Sequence, residues 1–365
     1  MKLLSFKKEN LKTYLENSAI DEGNLLIKKD GTIISSNLKS LKDQVLAMQI
    51  SYLENQNHET IAKTPFIEWH PYINDSSLNE RILLLGTFPP PSYLIPKYGW
   101  DENPKLKLIK IGSKPEVDYF YGNMSSLWKI LNIDIDGLDN LKKRDKIIKE
   151  LKNKGIGISD IILACQRKHL SNSEKRSSDN NLLNIVPNFD VINKIFESKK
   201  IERIVFTSAN WDMQKKGKID DKKSTMGYFL KSIYQSFQME IKLNNIWINP
   251  IDLCNEDTKH RLYLKYRNQD KVLKFKAPNF LEIRIHHKGQ SKNLILIGLP
   301  SPSRAANTNL KNTAYFKLWK KYTENKKRVF NKENYRTELY RLAFSNSLED
   351  LSTLFEIQST NIIDE

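Results

Sequence analysis

Cysteine is nearly absent. Cys165 and Cys254 are the only two in 365 residues, and they lie far apart in sequence. Two thiols exclude a disulfide framework, a four-cysteine zinc site and a four-cysteine iron–sulfur cluster, and read as buried thiols of a reducing compartment. Long apolar runs are missing as well. The chain opens MKLLSFKKENLKTYL without a sustained apolar segment, and no later stretch approaches the roughly 18 apolar residues of a membrane span. A soluble, unsecreted, cytoplasmic protein with no membrane partner is expected. Glycine-rich phosphate loops and zinc-deaminase spacings are also wanting. His286 and His287 are adjacent, so on a strand they would point to opposite sides and make a poor metal site. Neither a metal nor a small-molecule cofactor is expected.

What the chain has in excess is positive charge. Lys and Arg number 59 against 43 Asp and Glu, a formal +16, a balance that attracts polyanions such as nucleic acid or an anionic membrane surface. Apolar residues make up 39%, enough for a sizeable core in a chain of this length.

Four short apolar runs stand out: Arg81–Phe88 (RILLLGTF), Gly155–Leu163 (GIGISDIIL), Ile201–Ser208 (IERIVFTS) and Asn293–Pro300 (NLILIGLP). Near-continuous runs of this length suit parallel strands buried on both faces. Helical patterns at Asp139–Asn153 and Asp190–Lys199 lie between them. The alternation predicts an α/β fold, a three-layer α/β/α sandwich around a four-stranded parallel sheet. Ligands of such sheets bind outside the carboxyl ends of the strands, which here are GTFPPPSY, ILACQRK, FTSANW and LPSPSRAANTN.

Three additions surround that core. Residues 1–75 form a partly helical extension, with Leu41, Val45, Met48 and Tyr52 spaced along one helix face. Residues 76–322 hold the α/β domain, interrupted at about 213–290 by an insertion with strand-like pieces (IWINPIDL, LEIRIHH) and a basic, aromatic stretch, KHRLYLKYRNQDKVLKFK. In the helices after the fourth strand Tyr315, Leu318, Trp319 and Tyr322 make an apolar stripe, and residues 323–365 form a helical tail.

The order of the strand-end segments is more specific than any one of them: GTFPP (Gly86–Pro90), YFYGNMSSLWKIL (Tyr119–Leu131), GIGISD (Gly155–Asp160), FTSANW (Phe206–Trp211) and LPSPSRAAN (Leu299–Asn307). This series resembles the uracil-DNA glycosylase superfamily, most closely its mismatch-uracil and hypoxanthine-type branches, over about 80–320 and leaving both termini unmatched. The resemblance implies a monofunctional enzyme that flips a base from double- or single-stranded DNA and hydrolyses its N-glycosidic bond. Such chemistry needs a positioned water, donors for the leaving base and a dry pocket, reached only once the base has left the stack. Ser301, Pro302 and Ser303 would compress the DNA backbone, with Arg304 filling the gap or contacting a phosphate. Lys168, beyond the second strand, would be a further DNA contact. Phe88 and Tyr121 would stack on the base or pack in the core, and Thr207 stands where relatives read the base edge.

The departures from the pattern sharpen the assignment. Phe88 occupies the position at which many relatives activate water with Asp or Asn, and Leu299 replaces a His that stabilises the leaving base. The hypoxanthine-type branch draws an Asn from the second motif, and Asn123 fits that role, the other reading being a structural turn residue. Asp179 is the competing catalytic carboxylate, or the N-cap of a helix opened by Asp179, Asn180 and Asn181. A Gly-rich hairpin followed by Lys and Asp, the mark of helix-hairpin-helix glycosylases, is not found, so a lyase-type Lys has no support. The excised base is either a deaminated base in repair or an enlarged, modified cytosine in defence against viral DNA. A catalytically silent DNA-binding module is the reading from another class.

Overall fold

The computed structural model describes residues 4–7, 26–27, 32–35, 67–90, 93, 115–122, 125–167, 179–209, 211–214, 218–221, 223–243, 246–254, 279–302, 320, 323–324, 335–347 and 349–353. The helix expected after Ser36, the basic stretch 259–276 and the stripe Tyr315, Leu318, Trp319 and Tyr322 lie outside them.

In chain order the strands are β1 (Leu4–Lys7), β2 (Leu26–Ile27), β3 (Thr32–Ser35), β4 (Ile67–Trp69), β5 (Ile82–Gly86), β6 (Ile156–Asp160), β7 (Ile162–Arg167) and β8 (Leu182–Pro187). They continue with β9 (Arg203–Phe206), β10 (Asp212–Gln214), β11 (Lys218–Asp220), β12 (Gln238–Leu243), β13 (Ile246–Ile248), β14 (Asn279–His287) and β15 (Gln290–Gly298). The helices are α1 (Ser125–Ile130), α2 (Asn140–Asn153), α3 (Phe189–Glu197), α4 (Thr225–Ser236) and α5 (Tyr335–Phe344).

The chain forms two compact units. One comprises Met1–Asn74, Phe88–Pro115 and Ile162–Phe189; the other comprises Asp75–Thr87, Glu116–Ile161 and Asp190–Glu365. In the first unit β1, β3 and β2 form one antiparallel sheet, and β4, β7 and β8 another. The β7–β8 register slips between Ile162 and Ala164 and again between Ala164 and Gln166, as expected of bulges that bend a strand.

The second unit is built on a seven-stranded mixed sheet in the order β13-β12-β14-β15-β9-β5-β6. The four apolar runs do supply four parallel neighbours, β15, β9, β5 and β6. The sheet is nevertheless larger than the four-stranded parallel one expected, because the insertion adds three antiparallel strands to it. Burial explains the difference in pattern. Every residue of β5, β6 and β9 is buried, the signature of strands covered on both faces. In β14 Leu281, Ile283 and Ile285 are buried while Glu282, Arg284 and His286 are partly exposed, the alternation of a strand covered on one face.

Local signals set the helix ends. Asp139 caps α2, its carboxylate accepting the Lys142 amide at 2.9 Å, and that hydrogen bond holds the carboxyl below its ordinary range. Ser224 caps α4 by accepting from the Gly227 amide at 3.0 Å. Two expectations need correction. The run Gly155–Leu163 is two strands, broken at Ile161, whose halves belong to different sheets. Asp179–Asn181 form a single 3-10 turn leading into strand β8, so Asp179 caps no α-helix; the following helix begins at Phe189.

Candidate functional site

The order β6-β5-β9-β15 fixes where a ligand can enter. From β5 the chain passes to β6 on one side, and from β9 it passes to β15 on the other. Connections that diverge from adjacent strands leave a crevice outside their carboxyl ends, here beyond Gly86 and Phe206. A hydroxyl network occupies that rim. Thr87 Oγ1 lies 2.5 Å from Thr225 Oγ1, which is 3.0 Å from Ser208 Oγ; Ser208 also accepts the Thr225 amide at 2.9 Å. The start of α4 is thereby tied to the ends of β5 and β9. Thr207, next to this network, is 8% exposed.

Gly86 is required by its neighbours. A side-chain carbon there would overlap Asp160 Oδ1 and the Tyr121 phenol, so both groups close over the backbone at the end of β5. Asp160 is 6% exposed and ends β6, in register with Gly86. Tyr121 has φ of 53°, a left-handed backbone that aromatic residues rarely adopt and that concentrates at functional sites. The turn holding it is closed by the Gly122 amide donating to the Tyr119 carbonyl at 3.2 Å. Tyr119 is anchored in turn by Asp75 and Arg144: its hydroxyl reaches the Asp75 carbonyl at 3.5 Å, and Arg144 lies 3.0 Å from the Asp75 carboxylate. Burial and the Asp75 charge push the Tyr119 phenol up, so it stays a neutral donor. Gly86→Ala is therefore expected to lower stability by about 1–3 kcal/mol through overpacking and to displace Asp160 and Tyr121. A denaturation midpoint unchanged by Gly86→Ala would refute this close approach.

The loop after β15 is held by its carbonyls. Tyr340 Oη donates to Pro300 O at 3.1 Å, Arg336 Nη1 to Ser301 O at 3.1 Å and Ser126 Oγ to Pro302 O at 2.7 Å. The Leu299 amide donates to Phe206 O at 2.8 Å, joining the loop to the end of β9. Ser301 is half-buried and Pro302 buried.

The first unit carries a separate cluster. Glu68 and Arg167, each with its side chain 1% exposed, form a two-pronged ion pair at 3.0–3.1 Å. Arg167 Nη2 also donates to Pro89 O at 3.1 Å. Phe88 packs in the same unit, its ring centroid 6.0 Å from the guanidinium and edge-on to His70 at 5.7 Å. Burial pushes the Glu68 carboxyl up against the pull of Arg167. Burial also works against the Arg167 charge, but Glu68, Cys165 and Asp179 outweigh it and raise its pKa. Asp179 thus acts electrostatically on a buried arginine. Burial raises the Cys165 thiol well above its ordinary value, leaving it an unreactive thiol at neutral pH.

Of the residues expected from sequence, Tyr121, Thr207, Ser301 and Pro302 lie in the second unit at the strand ends, while Phe88 and Asp179 lie in the first. Asn123, Lys168, Ser303 and Arg304 lie outside the described residues. Sequence reasoning missed Asp160 at the strand ends of the second unit, and Glu68 and Arg167 in the separate cluster of the first. The available signal was a charge closing or interrupting an apolar strand, in GIGISD, IEW and ILACQR. Among the described residues no group of three or more His, Cys, Asp or Glu could hold a metal ion, and no helix is long and apolar enough to cross a membrane. A polar cleft of about 680 Å³, lined by Gln235, Phe237, His286, His287 and Lys288, sits at the β14–β15 turn, the opposite end of the sheet from the strand ends.

Fold and site together define a mixed α/β protein with its candidate site at the carboxyl ends of four parallel strands. Comparison of the chain with protein-family models, with curated proteins and with solved structures returns no match.

Proposed function

We propose that the chain is a monofunctional DNA glycosylase of the uracil-DNA glycosylase type, which flips a non-canonical base and hydrolyses its N-glycosidic bond to leave an abasic site. One observation carries the reading. Gly86, Tyr121, Asp160, Thr207 and the Ser301–Pro302 loop come from five segments spread over more than half the chain, and they gather at one end of the parallel strands of one unit. These are the segments whose order resembles that superfamily. In this reading the parallel strands are the centre of a three-layer α/β/α core.

The chemistry follows from the groups present. As the bond from C1′ to the base breaks, positive charge grows on the sugar and negative charge on the base. Asn123 orients the water whose oxygen bonds to C1′, and the released proton passes to solvent or to the departing base. Thr207 donates to the base edge. Tyr121, held by its turn, offers a ring for stacking, and Asp160 closes over the same glycine from the end of β6. The base is non-canonical, either deaminated or a cytosine enlarged at its 5-position. No metal enters the hydrolysis, so activity is expected to survive excess chelator.

The net charge of +16 gives the reading a test on binding. Neutralising about five phosphates predicts that log affinity for duplex DNA falls against log salt with a slope of about −4 to −5. A flat salt response removes DNA as the substrate. The reaction itself is tested by base release from DNA carrying uracil, hypoxanthine or an enlarged cytosine.

A further inference from the structure

We propose that helix α5 is a buttress for the loop after β15, and that Arg336 and Tyr340 are positioning residues for extruding a base from duplex DNA. The inference rests on the glycosylase reading and deepens it, by giving the C-terminal helix a part in the step that precedes hydrolysis.

The loop's backbone is restrained at three consecutive carbonyls. Tyr340 and Arg336, one helical turn apart on α5, hold Pro300 and Ser301, and Ser126 of α1 holds Pro302. Proline rings at 300 and 302 fix φ on either side of Ser301. The helix is itself anchored at its far end. Arg203, the first residue of β9, donates from Nη1 to the carbonyls of Ala343 and Ser345 at 2.8 and 2.7 Å. Between these anchors Leu339, Tyr340, Leu342 and Ala343 are buried. Helix α5 therefore runs from the amino end of β9 to the loop beyond the carboxyl end of β15, along the length of the sheet. Burial also keeps the Tyr340 phenol protonated, its pKa raised above the ordinary value, so its donor is constant across physiological pH.

Stiffness at this point has a use. Unstacking a base from a duplex takes work, and a loop pressing on the DNA backbone delivers that work only if it does not give way. A single strand has little stacking to oppose, so a slack loop costs little there. Loss of the buttress should separate the two substrates.

The test uses the full chain with Tyr340→Phe, which removes one hydroxyl at constant shape, and Arg336→Met. Single-turnover base release is measured on matched duplex and single-stranded oligonucleotides carrying uracil, hypoxanthine or a 5-enlarged cytosine. Amide exchange of the peptide covering residues 294–302 is followed in parallel. The expected result is a tenfold or larger fall on duplex, a change below about threefold on single strands, and faster exchange in that peptide for both variants. Equal losses on both substrates, or unchanged duplex release despite faster exchange, overturn the proposal. Unchanged exchange overturns the buttress itself. If the unaltered chain releases no base from any probe, the glycosylase reading falls, and the exchange data separate that failure from failure of the buttress.

Discussion

Asn123→Ala is expected to lower single-turnover base release by about 10²–10³-fold, equivalent to roughly 3–4 kcal/mol of transition-state stabilisation, while DNA binding changes little. Water attack on C1′ needs an acceptor beside the sugar. The first motif cannot supply one, because its position is Phe88, a ring packed against Arg167 and His70 within the first unit. The second motif offers Asn123, two residues beyond Tyr121, whose phenol closes over Gly86 at the end of β5. Asn123→Asp should keep partial activity, since a carboxylate also orients water. Asp179 is the competitor, and its surroundings speak against it: it lies in a 3-10 turn and acts on the buried Arg167. If Asp179→Asn stops release and Asn123→Ala does not, the water belongs to Asp179.

Glu68→Ala is expected to destabilise the first unit by about 3–5 kcal/mol, because it leaves the Arg167 guanidinium buried without its counter-charge. The pair is enclosed, with side chains 1% exposed on both partners, so solvent cannot take over the role of the carboxylate. Removing both charges together is a different matter. Glu68→Leu with Arg167→Met should recover most of the loss, since replacing a buried pair by apolar groups is often neutral or stabilising. Arg167 also donates to Pro89 O, so the double variant should loosen the Phe88–Pro89 segment while the unit stays folded. Denaturant midpoints of the two variants measure the effect. A loss below about 1 kcal/mol for Glu68→Ala would show that the pair does not hold the unit together.

Strands β5 and β9 were legible because both faces are covered, which turns Ile82–Gly86 and Arg203–Phe206 into unbroken apolar runs. The same property hid the boundary at Ile161: an apolar run looks alike whether one strand continues or the chain changes sheet. Strand β8 is hidden in the sequence because Asp179, Asn180 and Asn181 look like a helix opening, whereas they form one 3-10 turn that leads into a strand. Helix α4 is not evident within the insertion, because Thr225, Gly227, Tyr228 and Ser232 are buried along with Met226, Phe229, Leu230 and Ile233, which blurs the apolar stripe.

The candidate site divides in the same way. Gly86, Thr207, Ser301 and Pro302 follow from the order of motifs along the chain. The partners that hold them do not. Tyr340 meets Pro300 across 40 residues, and Ser126 meets Pro302 across 176. Such pairings arise from how elements pack, and a single sequence carries no periodicity that reports them.

Hydrolysis of a glycosidic bond can be read directly from its two products, the abasic strand and the free base. Duplex oligonucleotides carrying uracil, hypoxanthine or a 5-enlarged cytosine are incubated with the full chain in excess chelator, then divided and heated with or without alkali. Strand scission is expected at the modified position only after alkali, matched by an equal amount of free base in solution. Intact strands and no free base from every probe would rule out a glycosylase, and scission without alkali would rule out monofunctional chemistry.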